Sequence, residues 1–553
     1  MQTIEVSLES GETREYPYGT TVSTIFETGM GSRDENPIIA ALVNNTLTSL
    51  SYKVEINSEV KAVRLYSHYG NRIYRRSLSF LLAMASREIF PNRHLIIGHS
   101  LGDAFYYYYE GMAQISDEDV SALEQKMREI SEQALPITRR VLSYEQTLNY
   151  IEKEGLDATL QLLRYRNDPK IPVYTCHNFI DLSYEPLVQN TDLLKIFKLR
   201  NYPPGFLLRF PQARTPDHVS EFQDNPILFS IYTEYKAWGK ILDLNCTGRL
   251  NRLIEQREIQ HFIQVAEALH EKKISLIADR IHEKRDRVKV VLIAGPSSSG
   301  KTTFTRRLAI QLRVLGFNPV IIGLDDYFLP IELTPLDEFG KPNFEDLHSL
   351  NVELLNRHLL SLFEGEEVEV PIFDFVNQRP KEQGTKLRFS NRSILLMEGI
   401  HGLNPGLTPN IPEDRKYRVY ISALTQLNLD DHNRISTTDN RLIRRLVRDH
   451  QFRGNSALDT LNMWESVRRG ENKNIFPYQN EADSAFNSAL DYELAVLKPY
   501  VEPLLKTVKA NEDVYNEALR LLGFLENFSA IPSHMVPEDS ILREFIGDSI
   551  FYR

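Results

Sequence analysis

Near the start of the chain polar and apolar positions alternate. Ile4, Val6 and Leu8 share one side, a Ser10-Gly11-Glu12 turn follows, and a second short run precedes Pro17. Period-two alternation bounded by turn residues marks half-buried strands, so residues 1–64 are predicted to form a small β-rich module. The period then lengthens. Leu78, Leu81, Leu82 and Ala85 fall on one helical face, and Ser116 with Asp119 heads a second helix carrying Val120, Leu123, Met127 and Ile130. Five prolines, Pro203, Pro204, Pro211, Pro216 and Pro226, punctuate the stretch that ends this mixed α/β region. A boundary is expected near residue 220, with a helical connector over 221–284. From there apolar runs at 288–294, 320–324, 394–397 and 417–421 alternate with amphipathic helices. Continuous apolar runs belong to strands covered on both faces, which predicts a doubly wound parallel sheet over 285–520. A tail, 521–553, carries a capped short helix at 537–547, expected to dock on a domain surface.

Length and composition widen this picture without changing it. The 553 residues, 42% hydrophobic, 25% charged and 10% aromatic, suit a multidomain α/β protein with several cores. No apolar run approaches the roughly 18 residues of a membrane span, and the first residues lack a signal-peptide pattern. A cytoplasmic protein with no membrane partner is expected. Two cysteines, Cys176 and Cys246, are too few for a disulfide framework, and His177 beside Cys176 has no second ligand pair, so no zinc is expected. The net charge of −11 argues against sequence-independent nucleic-acid binding over the whole surface.

Chemistry concentrates after the run at 288–294. Gly295-Pro296-Ser297-Ser298-Ser299-Gly300-Lys301-Thr302 fits G-x-x-x-x-G-K-[ST] and opens a helix with Phe304, Leu308, Leu312 and Leu315 on one face. Glycines let the backbone curl so that N–H groups from Ser297 through Thr303 point at phosphates. Lys301 would neutralise their charge, and the Thr302 hydroxyl would ligate magnesium. The second run ends in Asp325-Asp326-Tyr327-Phe328, at the sheet edge where ligand crevices form. Asp325 is the candidate general base. The third ends in Glu398-Gly399, making Glu398 the candidate metal-side acid. Arg441, Arg444, Arg445, Arg448 and Arg453 recur at spacings that stack guanidiniums along one side of a helix, as a lid over ATP would require.

With these residues assembled, residues 288–500 resemble the uridine kinase and phosphoribulokinase family. The likeness rests on Gly295 to Thr302, Asp325-Asp326-Tyr327-Phe328, Asn343-Phe344-Glu345, Phe373-Asp374-Phe375, Glu398-Gly399, and Arg444-Arg445 through Arg448-Asp449 to Arg453-Gly454. It implies ATP and Mg2+ as cofactors, with Asp325 taking a proton from the acceptor hydroxyl and Glu345 holding ribose hydroxyls. It further implies Phe344 and Phe375 flanking a base, and Arg445, Arg448 and Arg453 on phosphates. Phe328, Phe373 and Gln378 complete the expected substrate side. The family's nucleoside kinases resemble one another in a Tyr-Asp-Phe-x-x-His segment. Here it reads Phe373-Asp374-Phe375-Val376-Asn377-Gln378, and a ribose-binding aspartate has become Glu345. A site built on hydrogen bonds discriminates strongly, so these exchanges bear on which base is accepted.

Residues 1–64 resemble a TGS domain, a β-grasp module, and 65–220 resemble the domain that follows it in threonyl-tRNA synthetases. The matching stretches include Ile97-Gly98, Gly102-Asp103-Ala104-Phe105-Tyr106-Tyr107 and Asp181-Leu182 through Phe197-Lys198-Leu199. The synthetase domain edits with His-x-x-x-His and Cys-x-x-x-His. The aligned positions here are Arg76, Phe80, Ser183 and Leu187, which carry no imidazole or thiolate, and a catalytically silent domain is expected. Its purpose stays open between an RNA or nucleotide contact and a scaffold helping a homo-oligomer assemble. The aromatic run 105–109 could stack bases, but alternation in a half-buried strand is the favoured reading. The expected activity is transfer of the ATP γ-phosphate to a nucleoside 5′-hydroxyl. The alternatives are another ribose or sugar-phosphate acceptor and, from a different class, a nucleotide-switched RNA-binding regulator.

Overall fold

The computed structural model describes residues 2–27, 36–338, 340–374 and 377–551. At the N-terminus five strands form one sheet in the order Thr13–Pro17, Thr3–Leu8, Ser58–Arg64, Ile38–Val43, Thr46–Ser49. Thr3–Leu8 and Ser58–Arg64 run parallel and the other pairs antiparallel. The inward set Ile4, Val6, Ala41, Val43 and Val60 closes on Val22 and Ile25 of the helix Val22–Glu27, as the period-two pattern requires.

A four-stranded antiparallel sheet follows, ordered Lys198–Tyr202, Gly205–Arg209, Ala104–Tyr109, Leu95–Leu101. The helix His68–Ile89 covers one face, burying Leu78, Leu81, Leu82 and Ala85. The aromatic run is consumed by packing on both sides. Tyr107 donates to Ser79 Oγ at 2.8 Å and Tyr109 pairs with Ser86 Oγ at 2.8 Å. On the other face, Tyr106 meets Phe229 and Tyr232 of the helix Pro226–Ile241 with ring centroids 5.2 and 5.6 Å apart. Rings spent in this way leave no stacking platform for bases.

The segment expected as a connector lies within the main C-terminal core. Ile263, Ile274, Ile277 and Ile281 of the helix Ile259–Glu283 share one apolar cluster with Phe304, Leu308 and Leu312, and Arg307 binds Glu271 at 2.7 Å across the contact. At the centre is a five-stranded parallel sheet: β1 (Val290–Ala294), β2 (Asn318–Gly323), β3 (Ser393–Glu398), β4 (Lys416–Ser422) and β5 (Ser484–Asn487). The order is β2-β3-β1-β4-β5, every neighbouring pair parallel. Val291 and Ile293 face the helix Lys301–Val314, the P-loop helix, while Val290 and Leu292 face Leu355 and Leu359 of the helix Val352–Phe363. Covering both faces explains why the strands read as unbroken apolar runs.

The tail differs from the expected surface docking. Ile541, Leu542 and Phe545 are fully buried in the same core as the P-loop helix, where their apolar side chains are removed from water. Among the described residues no helix is long and apolar enough to cross a membrane.

Candidate active site

The loop after β1 wraps into the helix Lys301–Val314 through Ser298 and Gly300, whose φ angles are 59° and +80°. Gly300 supplies a left-handed turn that a side chain would strain, and an added Cβ would meet Ile541 at 2.5 Å. Lys301 curls back, its Nζ donating to the carbonyls of Gly295 at 3.0 Å and Pro296 at 3.2 Å. Burial pulls its ammonium down, opposed by Glu398, Glu544 and Asp325.

Two carboxylates from neighbouring strand ends meet this loop. Thr302 Oγ1 donates to Glu398 Oε1 at 2.8 Å. Burial pushes Glu398 up to about 7, partly offset by Lys301 and the Thr302 hydroxyl. Asp325, in the short turn after β2, is open to the cleft. The surrounding protein still raises it, while Lys301, Arg453 and Arg448 draw it back down. Hydroxyl and carboxylate oxygens of this kind are the hard donors that magnesium takes, and a cation here would relieve the two raised acids. Thr302 and Glu398 therefore fit the metal role expected of them.

The arginines divide into two classes. Arg445 reaches the loop, donating to Ser297 Oγ at 2.8 Å, and the fully buried Asp449 gathers Arg445, Arg448 and Arg453 at 3.0, 2.8 and 3.7 Å. Arg441 and Arg444 do not join a lid. Arg444 is wholly buried against Glu493 and holds the Ser298 carbonyl at 3.3 Å and the Ser488 carbonyl at 2.8 Å. Arg441 pairs with Glu471 and holds the Ser297 carbonyl at 2.9 Å. The helix Thr437–Arg453 thus turns one set of guanidiniums inward to shape the loop and another toward the cleft. Of the five arginines expected to form a lid, Arg441 and Arg444 are instead drawn inward by the buried partners Glu471 and Glu493.

On the acceptor side Phe328 packs edge-on against Phe344 and Phe373, with centroids 5.4 and 5.6 Å apart. Glu345 is pushed up to about 7, chiefly by burial and secondarily by Glu471, with Arg445 opposing. Its segment is seated against the helix Ala457–Asn474 at Gly470, where an added Cβ would come within 2.6 Å of Glu345 Cβ. Gln378 is exposed at a φ of 52°, its carbonyl accepting from the Ile331 N–H at 3.2 Å. Phe375 lies outside the described residues. Sequence reasoning missed Glu471, which accepts from the Ser297 N–H at 2.9 Å, and Glu544, which accepts from the Thr303 N–H at 3.0 Å. Both come from remote segments with no motif around them; Glu544 at least stands among the apolar Leu542, Phe545 and Ile546, whereas Glu471 sits in a polar, basic stretch that gives no signal.

In the N-terminal half, the positions aligned with the synthetase editing residues are filled. Arg76 donates to the carbonyls of His432 at 2.9 Å and Leu182 at 3.2 Å. Phe80 packs on Phe179 with centroids 5.0 Å apart, Ser183 Oγ donates to the Glu185 carbonyl at 2.8 Å, and Leu187 is buried. The occupant is the loop 428–434, which leads from β4 into the arginine-bearing helix. It places His432 Nδ1 2.9 Å from Asp181 and runs beside the edge strand Leu95–Leu101, with the Ile97 N–H donating to the Asp431 carbonyl at 3.2 Å.

Comparison with known proteins agrees with both halves. Residues 290–495 match the model of the Phosphoribulokinase / Uridine kinase family, and the C-terminal part of the chain carries a P-loop kinase domain of that family. The chain is 30% identical over 199 residues to the threonine–tRNA ligase of Carboxydothermus hydrogenoformans, covering 36% of this chain and 31% of that protein. With the threonine–tRNA ligase of Francisella tularensis subsp. tularensis it shares 27% over 270 residues, covering 47% and 38%. The chain therefore spans about a third of the length of these curated relatives, and the shared region is the N-terminal one. Among solved structures, "a Possible Uridine Kinase from Bacillus stearothermophilus" is 18% identical, covering 39% of this chain and 98% of that one, at a TM-score of 0.27. A D-glycerate 3-kinase from Cryptococcus neoformans is 13% identical, covering 52% and 89%, at 0.19.

Proposed function

We propose that this chain, whose residues 290–495 form a phosphoribulokinase/uridine kinase family domain, transfers the γ-phosphate of ATP to a nucleoside hydroxyl, the 5′-OH being the expected acceptor. The observation that carries the reading is the convergence of Lys301, Asp325, Glu398 and the Arg445–Arg448–Arg453 set on one cleft, with an aromatic wall of Phe328, Phe344 and Phe373 beside Glu345. Asp325 accepts the proton of the acceptor hydroxyl, and that oxygen forms the new bond to the γ-phosphorus. The bond from phosphorus to the β,γ-bridging oxygen breaks, and ADP leaves with its electron pair. Lys301 and Arg445 face the charge that develops on the transferred group. Thr302 and Glu398 would hold magnesium, which supplies neutralisation of the phosphate oxygens when bound. Glu345 would accept from ribose hydroxyls, with the phenylalanine wall against the base.

The N-terminal half, in this reading, is a scaffold that seats the loop entering the arginine-bearing helix, which the filled Arg76 pocket supports. The protein is expected to act in the cytoplasm on a small molecule. The test is consumption of ATP with magnesium against the common ribo- and deoxyribonucleosides and several ribose phosphates, with Lys301→Ala and Asp325→Asn as controls. Turnover of one nucleoside, abolished by both changes, is the expected result. Turnover of a sugar phosphate alone moves the acceptor to that class. ATP binding with no phosphorylated product, together with salt-dependent RNA binding by the N-terminal half, would replace the kinase with a nucleotide-switched regulator.

A further inference from the structure

The first turn of the P-loop helix offers N–H groups with no intrahelical partner, and its cap residue, Gly300, has no side chain to satisfy them. The Thr303 N–H is already taken. It donates to Glu544 Oε2 at 3.0 Å, across 241 residues of chain. A phosphate seated on this turn would need the same donor, so the carboxylate stands where a nucleotide oxygen would stand. No cation pairs with Glu544 among the described residues. It acts through space on Lys301, whose ammonium it helps to hold up against burial, and it also raises Glu398.

Glu544 is aimed at this position by its neighbours. Leu542 and Phe545 are fully buried on either side, and Phe545 lies beneath the Arg444 guanidinium at 4.9 Å. Arg543 donates to the Ser533 and Val536 carbonyls at 2.9 and 2.6 Å, Arg306 donates to the Phe551 carbonyl at 2.9 Å, and Ile541 abuts Gly300. The backbone at 544 is therefore fixed, and only the half-buried Glu544 side chain is left to turn away. The other carboxylate on the loop, Glu471, is in a different position, because Arg441 neutralises it and locks it in place.

We propose that Glu544 is a built-in competitor for the nucleotide: its carboxylate occupies an anion seat of the P-loop, and ATP binds only as that side chain is displaced. This rests on the P-loop serving ATP, as proposed above, and adds a tail residue that sets nucleotide affinity. A charge-assisted hydrogen bond of this kind, lost on displacement, lowers apparent affinity by about tenfold.

The test is Mg-ATP affinity by calorimetry on the full chain, comparing wild type with Glu544→Ala, Glu544→Gln, Lys301→Ala and the exposed neighbour Asp548→Asn. Both Glu544 changes should tighten binding, Ala by about tenfold and Gln by less because its carbonyl still accepts from Thr303. Asp548→Asn, which removes a nearby charge without touching the loop, should leave affinity unchanged. Hydrogen exchange at the amides of 302–304 should quicken in nucleotide-free Glu544→Ala. Equal or weaker binding by Glu544→Ala, with Lys301→Ala still abolishing it, overturns the competitor and leaves the nucleotide site standing. Equal tightening by Asp548→Asn also overturns it, reducing the effect to general charge. Absence of ATP binding in every variant removes the nucleotide site itself and the competitor with it.

Discussion

The P-loop cleft and the pocket around Arg76 are both lined with buried charge, and they treat it oppositely. In the pocket every group has found a partner within the chain. Asp181 pairs with His432, and Asp430 accepts from the Asn433 side chain at 2.7 and 2.8 Å. Asp431 accepts from the Thr159 N–H and hydroxyl at 3.0 and 2.8 Å, and Arg76 is spent on carbonyls. In the cleft burial holds Glu398 and Glu345 near 7 and raises Asp325, outweighing the Lys301 and arginine charge that draws them down. Buried charge that its own chain has satisfied is architecture, and buried charge left wanting is prepared for a ligand.

The largest expected effect tests the cleft. Lys301→Ala should lower turnover by about 10³-fold or more without lowering the melting temperature, measured by product formation and thermal unfolding. Asp325→Asn should lower kcat by ~10²–10⁴ with ATP affinity almost unchanged, and an equal loss of ATP affinity would demote it from base to binding group. In the pocket the order of effects reverses. Asp181→Asn leaves His432 without its ion-pair partner and should cost about 3 kcal/mol in denaturant unfolding, while the folded fraction keeps its turnover. Loss of turnover at unchanged stability would show that the pocket does chemistry after all.

Acidity should separate the two regions further. Glu398 and Glu345 have folded values of about 7, above their ordinary 4.5. Folding therefore favours their protonated forms, and this stabilisation is complete below about 4.5 and lost as pH rises through about 7. Magnesium binding needs Glu398 ionised, so thermal stabilisation by Mg-ATP should be larger at about pH 8 than at about pH 6, and Glu398→Gln should flatten the difference. His432 follows the same sign at a higher pH. The neighbouring Asp181, Asp431 and Asp430 raise it to about 9, so its contribution is full below about 6.5 and lost as pH rises through about 9. The smallest effect is expected on the aromatic wall, where Phe344→Ala should raise KM for the acceptor by about tenfold and barely alter kcat.

The parallel sheet and its loop could be read from sequence because local pattern and chemistry coincide there. β1 is an unbroken apolar run, and the glycines and Lys301 follow it directly. Asp325 and Glu398 could be read because strand ends in such sheets face the crevice. The arginines were only half legible: spacing places them on one helix, but the inward turn of Arg441 and Arg444 depends on Glu471 and Glu493, which lie 30 and 49 residues away. Glu544 and the loop 428–434 were illegible for the same reason. Their partners, Thr303, Asp181 and Ile97, are hundreds of positions distant, and no periodicity encodes such a meeting.

The contact between the chain's two ends bears on how the protein is made. Asn45 donates to the Ala510 carbonyl and the Leu47 N–H donates to Asn516, across 465 and 469 residues. At translation rates of 5–20 residues per second, the first sheet waits roughly 20–90 s for its partner to leave the ribosome. The edge strand Leu95–Leu101 waits likewise for the loop at 428–431 that runs beside it. A nascent chain halted before that loop presents a bare strand edge, the kind of surface through which chains join one another. Truncated products of this gene should therefore aggregate or be held by chaperones, even where their N-terminal sheets are already folded.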